Sequence, residues 1–176
     1  MKRLMRRLRT LARDTRANAT VEFVIIVPVL MVVVFSIYEA GWLMVRTAML
    51  ERGVDMAIRD LRLGAIPNPT HDAIKTRVCG HAIVIKDCEN VLILELTPFD
   101  LTAGLPTDGA VCVDRSQDVQ PVFAFDPGQR SEIMFVRACA VVEPMFPMMG
   151  LGQAMIRQPT GDYAIVAHSA FANEPG

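Results

Sequence analysis

An uninterrupted apolar stretch near the start of the chain is the strongest pattern in the sequence. Residues 23–38, FVIIVPVLMVVVFSIY, contain no charged side chain, and apolar residues continue to Val45 with a single acid, Glu39. A helix of about 20 apolar residues crosses a bilayer core of about 30 Å. The pattern therefore predicts a transmembrane helix over residues 18–45 in contact with the lipid bilayer.

The same helix is predicted to continue beyond the membrane, because apolar positions keep a helical spacing. They recur at intervals of four, three and four residues, at Leu50, Val54, Ala57 and Leu61. A stripe of this kind is typical of a helix packed on a core. Gly64 and the following Pro67 are stop signals. We expect one helix from about Val21 to Leu63, with a kink at Pro28.

Three later segments are rich in β-branched residues and are bounded by Pro, Gly or Asn, which is typical of strands. They are Val91–Leu96, Glu132–Glu143 and Asp162–Asn173. Residues 111–113 are a weaker candidate for a short fourth strand. A short helix capped by Thr70 is predicted before them. Strands without long helices between them favour an antiparallel sheet laid on the apolar stripe, which is an α+β fold.

Charge is distributed unevenly along the chain. Residues 1–17 hold seven basic residues and one acid, whereas residues 18–176 hold eleven basic and eighteen acidic residues. Basic residues mark the cytoplasmic side of a membrane helix. We therefore expect residues 1–17 to be a cytoplasmic leader and residues 46–176 to be an extracytoplasmic domain. The acidic domain lacks the clustered Lys and Arg that neutralise phosphates, so no nucleic-acid partner is expected.

The position of the small residues distinguishes two kinds of N-terminal signal. An ordinary secretory signal has a small-residue cleavage site after its apolar stretch, but bulky Tyr38 occupies that place here. Ala17 and Ala19 precede the stretch instead. Processing after Ala17 would make Asn18 the new N-terminus and Glu22 the fifth residue. The membrane helix would then stay on the mature protein.

A basic leader, a small residue, Glu at the fifth mature position and an aromatic residue before an apolar helix resemble a class III prepilin signal. The stretch Asn18-Ala19-Thr20-Val21-Glu22-Phe23, followed by Pro28, is similar to the TadE family of pseudopilins of tight-adherence (Flp/Tad) pilus systems. The likeness covers roughly residues 14–64. One departure is Ala17, where the family usually has Gly.

The resemblance implies a pilin-like fold, in which the membrane helix continues as the spine of a small periplasmic domain at the bacterial inner membrane. It implies a minor, structural or assembly-priming pilus subunit rather than an enzyme. The implied partners are a prepilin peptidase, other pilins or pseudopilins and the inner-membrane assembly platform. The alternative is a membrane-anchored extracytoplasmic binding or enzyme subunit that is neither processed nor assembled.

Glu22 has two interpretations. In a helix that begins near Asn18, a spacing of four residues brings Glu22 to the same face as the α-ammonium group that cleavage would create. Glu22 could then pair with that group on its own or a neighbouring subunit. Alternatively, it lies at headgroup level and interacts with the helix dipole. The resemblance favours pairing, and it places Phe23 and Pro28 in the same assembly segment.

All four cysteines follow the membrane segment, on the side expected to be oxidising: Cys79, Cys88, Cys112 and Cys139. Two disulfides are therefore expected. Three connectivities exist, and we favour Cys79 with Cys88, which closes a short turn, and Cys112 with Cys139. The sequence contains no Cys-x-x-Cys pair, and its three His residues are isolated. We accordingly expect no metal or other cofactor and no catalytic site.

The stretch from Pro144 to Gly152, PMFPMMGLG, is apolar but too rich in Pro and Gly to predict a strand or a helix. One interpretation is a loop that folds over the edge of the core, where Met fills irregular gaps. The other is an exposed contact surface for a sister pseudopilin or the membrane. In that case Phe146, Met148 and Met149 are the candidate contact residues.

Overall fold

One long helix, a three-stranded sheet and three short helices make up the described part of the chain. The computed structural model describes residues 18–99, 104, 108–117, 121–129, 131–156 and 158–173, so the leader and Ala17 lie outside the described residues. The elements in order are α1 (Asn18–Arg62), α2 (His71–His81), α3 (Cys88–Val91), β1 (Leu92–Pro98), β2 (Ile133–Val142), α4 (Gly150–Met155) and β3 (Tyr163–Ala172). This is the predicted α+β arrangement.

Helix α1 is the spine of the molecule. It contains 45 residues, which corresponds to about 68 Å at 1.5 Å per residue. Its C-terminus is closed by Gly64, whose φ of 66° is accessible to glycine at no steric cost. The Gly64 amide donates to the Leu61 carbonyl at 3.1 Å, and the Ala65 amide donates to the Asp60 carbonyl at 2.9 Å. This is a Schellman cap, so the predicted stop at Gly64 is confirmed.

The sheet is antiparallel throughout, with the order β1-β2-β3. Its inner face packs on the C-terminal half of α1 and on α2, and the predicted stripe residues Leu50, Val54 and Ala57 are at most 1% exposed there. In β3, alternate residues from Tyr163 to Phe171 face this core, whereas His168 lies on the exposed side. This alternation has the period of two that is typical of a strand with one buried face.

The outer face of the sheet is held by polar and covalent contacts. Glu95 and Arg137 are register partners on β1 and β2, and Arg137 Nε donates to Glu95 Oε2 at 2.7 Å. The same oxygen accepts the Val111 amide at 3.2 Å. The hydrogen bond to Glu95 raises the pKa of Arg137 above its ordinary value, against the opposing effect of burial. Through Val111, these contacts hold the connection between β1 and β2 against the outer face of the sheet.

One disulfide joins two short helices, and the other joins the connection between β1 and β2 to the sheet. Cys79 of α2 bonds to Cys88 of α3 with a Cα–Cα distance of 5.6 Å. Cys112 bonds to Cys139 of β2 with a Cα–Cα distance of 5.2 Å. These are the two pairs favoured from the sequence.

Three details differ from the sequence-based expectations. Val91 ends α3 and lies before β1, because the disulfide of Cys88 and the left-handed Asp87 (φ 53°) set a helical turn there. Residues 111–113 form no strand. The disulfide from Cys112 to Cys139 and the hydrogen bond from Val111 to Glu95 hold them on the face of the sheet instead of along its edge.

The third difference is α4, which begins inside a stretch that was expected to be neither helix nor strand. Gly150 adopts a φ of 55°, which allows the chain to turn into the helix. The Leu151 amide is held by Ser36 Oγ of α1. Tertiary contacts thus override the local signal of Pro and Gly.

Candidate functional site

The N-terminal half of α1 presents an apolar surface that the rest of the described chain leaves largely open. Its most apolar 18-residue window has a mean hydropathy of 2.6, and none of that window is buried within the protein. Exposed residues include Phe23 and Ile25, both 65% exposed. Among the described residues, α1 is the one helix long and apolar enough to cross a membrane.

The predicted assembly residues lie together at the start of this surface. Glu22 is the fifth residue of the described helix, and its side chain is exposed beside that of Phe23. Pro28 lies inside the helix, where it cannot donate a hydrogen bond to the carbonyl of Val24. The kink expected at Pro28 stays a prediction, as does the role of Glu22.

A buried carboxylate lies further along the same half of α1. Glu39 is fully buried, and its two oxygens accept backbone hydrogen bonds from consecutive residues. Oε1 accepts the Met145 amide at 3.0 Å, and Oε2 accepts the Phe146 amide at 2.8 Å. Burial of a carboxylate is costly unless hydrogen bonds compensate it. Two charge-assisted bonds provide that compensation here.

Ser36, one helical turn earlier, makes a second contact with the same part of the chain. Its hydroxyl donates to the Val32 carbonyl at 2.7 Å and accepts the Leu151 amide at 3.1 Å. The rings of Phe35 and Phe146 lie 4.6 Å apart between centroids. Polar and apolar side chains of one face of α1 therefore dock the region that follows β2.

Gly152 allows this close approach. A Cβ atom at this position would lie 2.3 Å from the Phe146 carbonyl oxygen and 3.2 Å from Glu39 Oε2. A side chain would therefore push the backbone of Phe146 away from the carboxylate. The glycine is required by space rather than by its backbone angle.

We call residues 144–155, which comprise the loop after β2 and helix α4, the docked segment. Phe146 is partly buried against α1, and Met155 packs on the main core. Met148 is 84% exposed and Met149 is 42% exposed. The candidate contact residues thus divide into one that faces α1 and two that face outward.

Arg46 joins α1 to the sheet just beyond the docked segment. Its Nη1 atom donates to the Glu143 carbonyl and to the Tyr163 hydroxyl at 3.0 Å. Its guanidinium lies over the ring of Trp42, 5.3 Å from the centroid. Burial raises the pKa of Tyr163, and the hydrogen bond from Arg46 opposes this effect. The contacts fix the sheet to α1 next to its apolar half.

Ser36, Glu39 and Gly152 carry these contacts, and none of them was among the residues predicted from sequence. A signal was present for two of them, since Ser36 and Glu39 are polar residues three apart in an apolar helix and so share a face. The backbone amides that they bind could not be predicted from the neighbouring sequence, because these amides lie more than 100 residues away. Within the described ranges, no group of three or more His, Cys, Asp or Glu could hold a metal ion.

A known protein family matches most of helix α1. The family model described as TadE-like protein matches residues 18–59. Residues 18–59 of this chain are similar to that family. The resemblance seen from Asn18 to Phe23 and at Pro28 is therefore confirmed, and it indicates involvement in the Tad pilus system. No curated protein and no solved structure matches the chain.

The TadE-like match divides the site into two parts. Glu22, Ser36 and Glu39 all lie within the matched range, together with most of the stripe that packs on the sheet. The docked segment lies outside it. The TadE-like helix thus supplies the side chains that hold a segment from the part of the chain beyond the match.

Proposed function

We propose that this chain is a minor pilin or pseudopilin of a tight-adherence (Flp/Tad) pilus system, acting as a structural or assembly-priming subunit. The observation that carries the proposal is the TadE-like match over residues 18–59. The exposed apolar half of α1 supports it, because such a surface suits lipid and the neighbouring helices of a fibre. Residues 1–17 are then cytoplasmic, and residues 46–176 form a periplasmic domain on an inner-membrane anchor.

In this proposal a prepilin peptidase cuts between Ala17 and Asn18. The matched range begins at Asn18, the residue that cleavage would make N-terminal. The test is N-terminal sequencing of the membrane protein from cells with and without the peptidase. We expect an Asn18 start only with the peptidase, and Ala17→Gly should be cut at least as well. An intact Met1 in both strains would overturn processing and favour a membrane-anchored binding or enzyme subunit.

Assembly with other pilins or pseudopilins is assigned to Glu22, Phe23 and Pro28. The Glu22 carboxylate is exposed on the helix, four residues after Asn18, and we propose that it pairs with the α-ammonium of a neighbouring subunit. Glu22→Gln should insert in the membrane normally but co-isolate less well with its partners. Glu51→Gln, an exposed change on the same helix, is the control. Equal co-isolation of the two variants would exclude the pairing.

A further inference from the structure

Two residues of α1 define where a bilayer would begin and end along it. Glu22 is the last charge before the apolar stretch, and Trp42 precedes Arg46, the first basic residue after it. Charges are costly in the bilayer core, and Trp is enriched at the membrane interface. The 21 residues from Glu22 to Trp42 are separated by twenty helical rises and span about 30 Å, the thickness of a hydrocarbon core.

The docked segment lies within this span. Phe146 packs on Phe35, and Leu151 is hydrogen-bonded to Ser36. Phe35 precedes Trp42 by seven residues, which is about 10 Å toward the bilayer centre at 1.5 Å per residue. A membrane that covers α1 up to Trp42 therefore also reaches the docked segment.

The chemistry of the docked segment fits that depth. It contains no charged residue, and two of its residues, Pro144 and Pro147, have no N–H group to satisfy. Irregular backbone at membrane depth needs partners within the protein. Glu39 and Ser36 provide such partners for Met145, Phe146 and Leu151.

The outward side chains complete the argument. Met145, Met148 and Met149 are 46%, 84% and 42% exposed. They are exposed on a segment that contacts Phe35, Ser36 and Glu39 of α1, the helix whose apolar half would contact lipid. A flexible thioether side chain adapts readily to such irregular surroundings.

We propose that the docked segment is a second membrane contact, which inserts into the leaflet on the side of the domain with Met145, Met148 and Met149 against lipid acyl chains. The domain would then be held to the bilayer at two places, α1 and the docked segment. The inference rests on the proposed membrane anchoring by α1, and its test separates the two.

The experiment uses the full chain in phosphatidylcholine vesicles at a low protein-to-lipid ratio. Trp42→Phe removes the single native Trp, and one Trp is then introduced at a time. Met148→Trp is the test variant. Val29→Trp, at a position 66% exposed on α1, reports insertion of the helix, and Val122→Trp, at a position 94% exposed outside it, reports an aqueous site. Quenching by lipids brominated along their acyl chains measures contact with the core.

We expect Met148→Trp to lose fluorescence in brominated lipid as Val29→Trp does, whereas Val122→Trp is unaffected. Quenching of Val29→Trp without quenching of Met148→Trp would overturn the inference and leave membrane anchoring intact. Absence of quenching at both would count against anchoring itself. Shielding of Met148→Trp from aqueous acrylamide only at high protein density, without bromine quenching, would assign the surface to a sister subunit. Met149→Trp repeats the test, with circular dichroism and intact disulfides confirming the fold.

Discussion

The Oε2 atom of Glu39 accepts a hydrogen bond of 2.8 Å from the amide of Phe146, which lies 107 residues later in the chain. Oε1 holds the neighbouring Met145 amide. A carboxylate in an apolar helix is costly on its own, and so are unsatisfied amides in an apolar loop. The Glu39 carboxylate and the two backbone amides satisfy each other's hydrogen-bonding needs. The helix and the loop after β2 therefore stabilise each other at this contact.

Removal of this carboxylate should release the docked segment. Glu39→Gln keeps the shape but replaces one acceptor oxygen with a donor facing an amide, and we expect a loss of about 1.5–3 kcal/mol in the free energy of unfolding. Hydrogen exchange at the Met145 and Phe146 amides should rise. The measurement uses the full chain in detergent, with Glu51→Gln as the exposed control. Unchanged protection of both amides would show that the carboxylate does not hold them.

A methyl group at Gly152 should have a similar effect by steric means. Gly152→Ala places a Cβ 2.3 Å from the Phe146 carbonyl oxygen, and overpacking of this kind costs about 1–3 kcal/mol. Gly41→Ala is the matched control, because nothing lies within 4 Å of a Cβ at that helical position. It should be neutral or stabilising by about 0.5–1 kcal/mol. Thermal unfolding of both variants tests the difference, and equal midpoints would refute it.

The ion pair on the outer face of the sheet should be sensitive to the loss of either partner. Arg137→Met leaves the buried Glu95 carboxylate without its cation, and we expect destabilisation by about 3–5 kcal/mol. The combined Glu95→Leu and Arg137→Met change should cost less than Arg137→Met alone. Arg77→Met breaks a pair in which Arg77 is exposed and Asp60 is partly exposed, and it should cost at most about 1 kcal/mol. Denaturant unfolding that ranks Arg77→Met above Arg137→Met would contradict this account.

The two disulfides should differ in their contribution to stability. They close loops with sequence separations of 9 and 27 residues. In the chain-entropy model, the Cys79–Cys88 bond contributes about 2–3 kcal/mol and the Cys112–Cys139 bond about 3–4 kcal/mol. Replacement of each pair by Ala, followed by denaturant unfolding, tests the order. Disulfide mapping by mass spectrometry tests the pairing, and a Cys79–Cys112 or Cys88–Cys139 peptide would disprove it.

The sequence predicted those parts of the fold that depend on local periodicity. The stripe at Leu50, Val54 and Ala57, the stop at Gly64 and the buried face of β3 all follow from the spacing of apolar residues and from backbone preferences. The TadE-like signature at Glu22 was equally local.

The docking site could not be predicted in the same way. In the sequence, Glu39 is only a single acid in an apolar helix, because its partners at Met145 and Phe146 are distant in sequence. The helix α4 was missed because Gly150 and Gly152 are unfavourable in an isolated helix. Their benefit is the close approach to Ser36 and Glu39, which exists only once the sheet has placed the chain beside α1.

Alkaline pH should weaken the junction between α1 and the sheet through Tyr163. Burial raises the pKa of its hydroxyl above the ordinary value of about 10, so the folded state favours the neutral form. The resulting stability is fully present below about pH 10 and is lost as the pH rises through the folded pKa. Tyr38→Phe leaves Tyr163 as the single tyrosine, whose ionisation by ultraviolet absorbance should occur above the usual range. Tyr163→Phe should remove this part of the alkaline destabilisation, and ionisation of Tyr163 at its ordinary pKa would contradict the burial of its side chain.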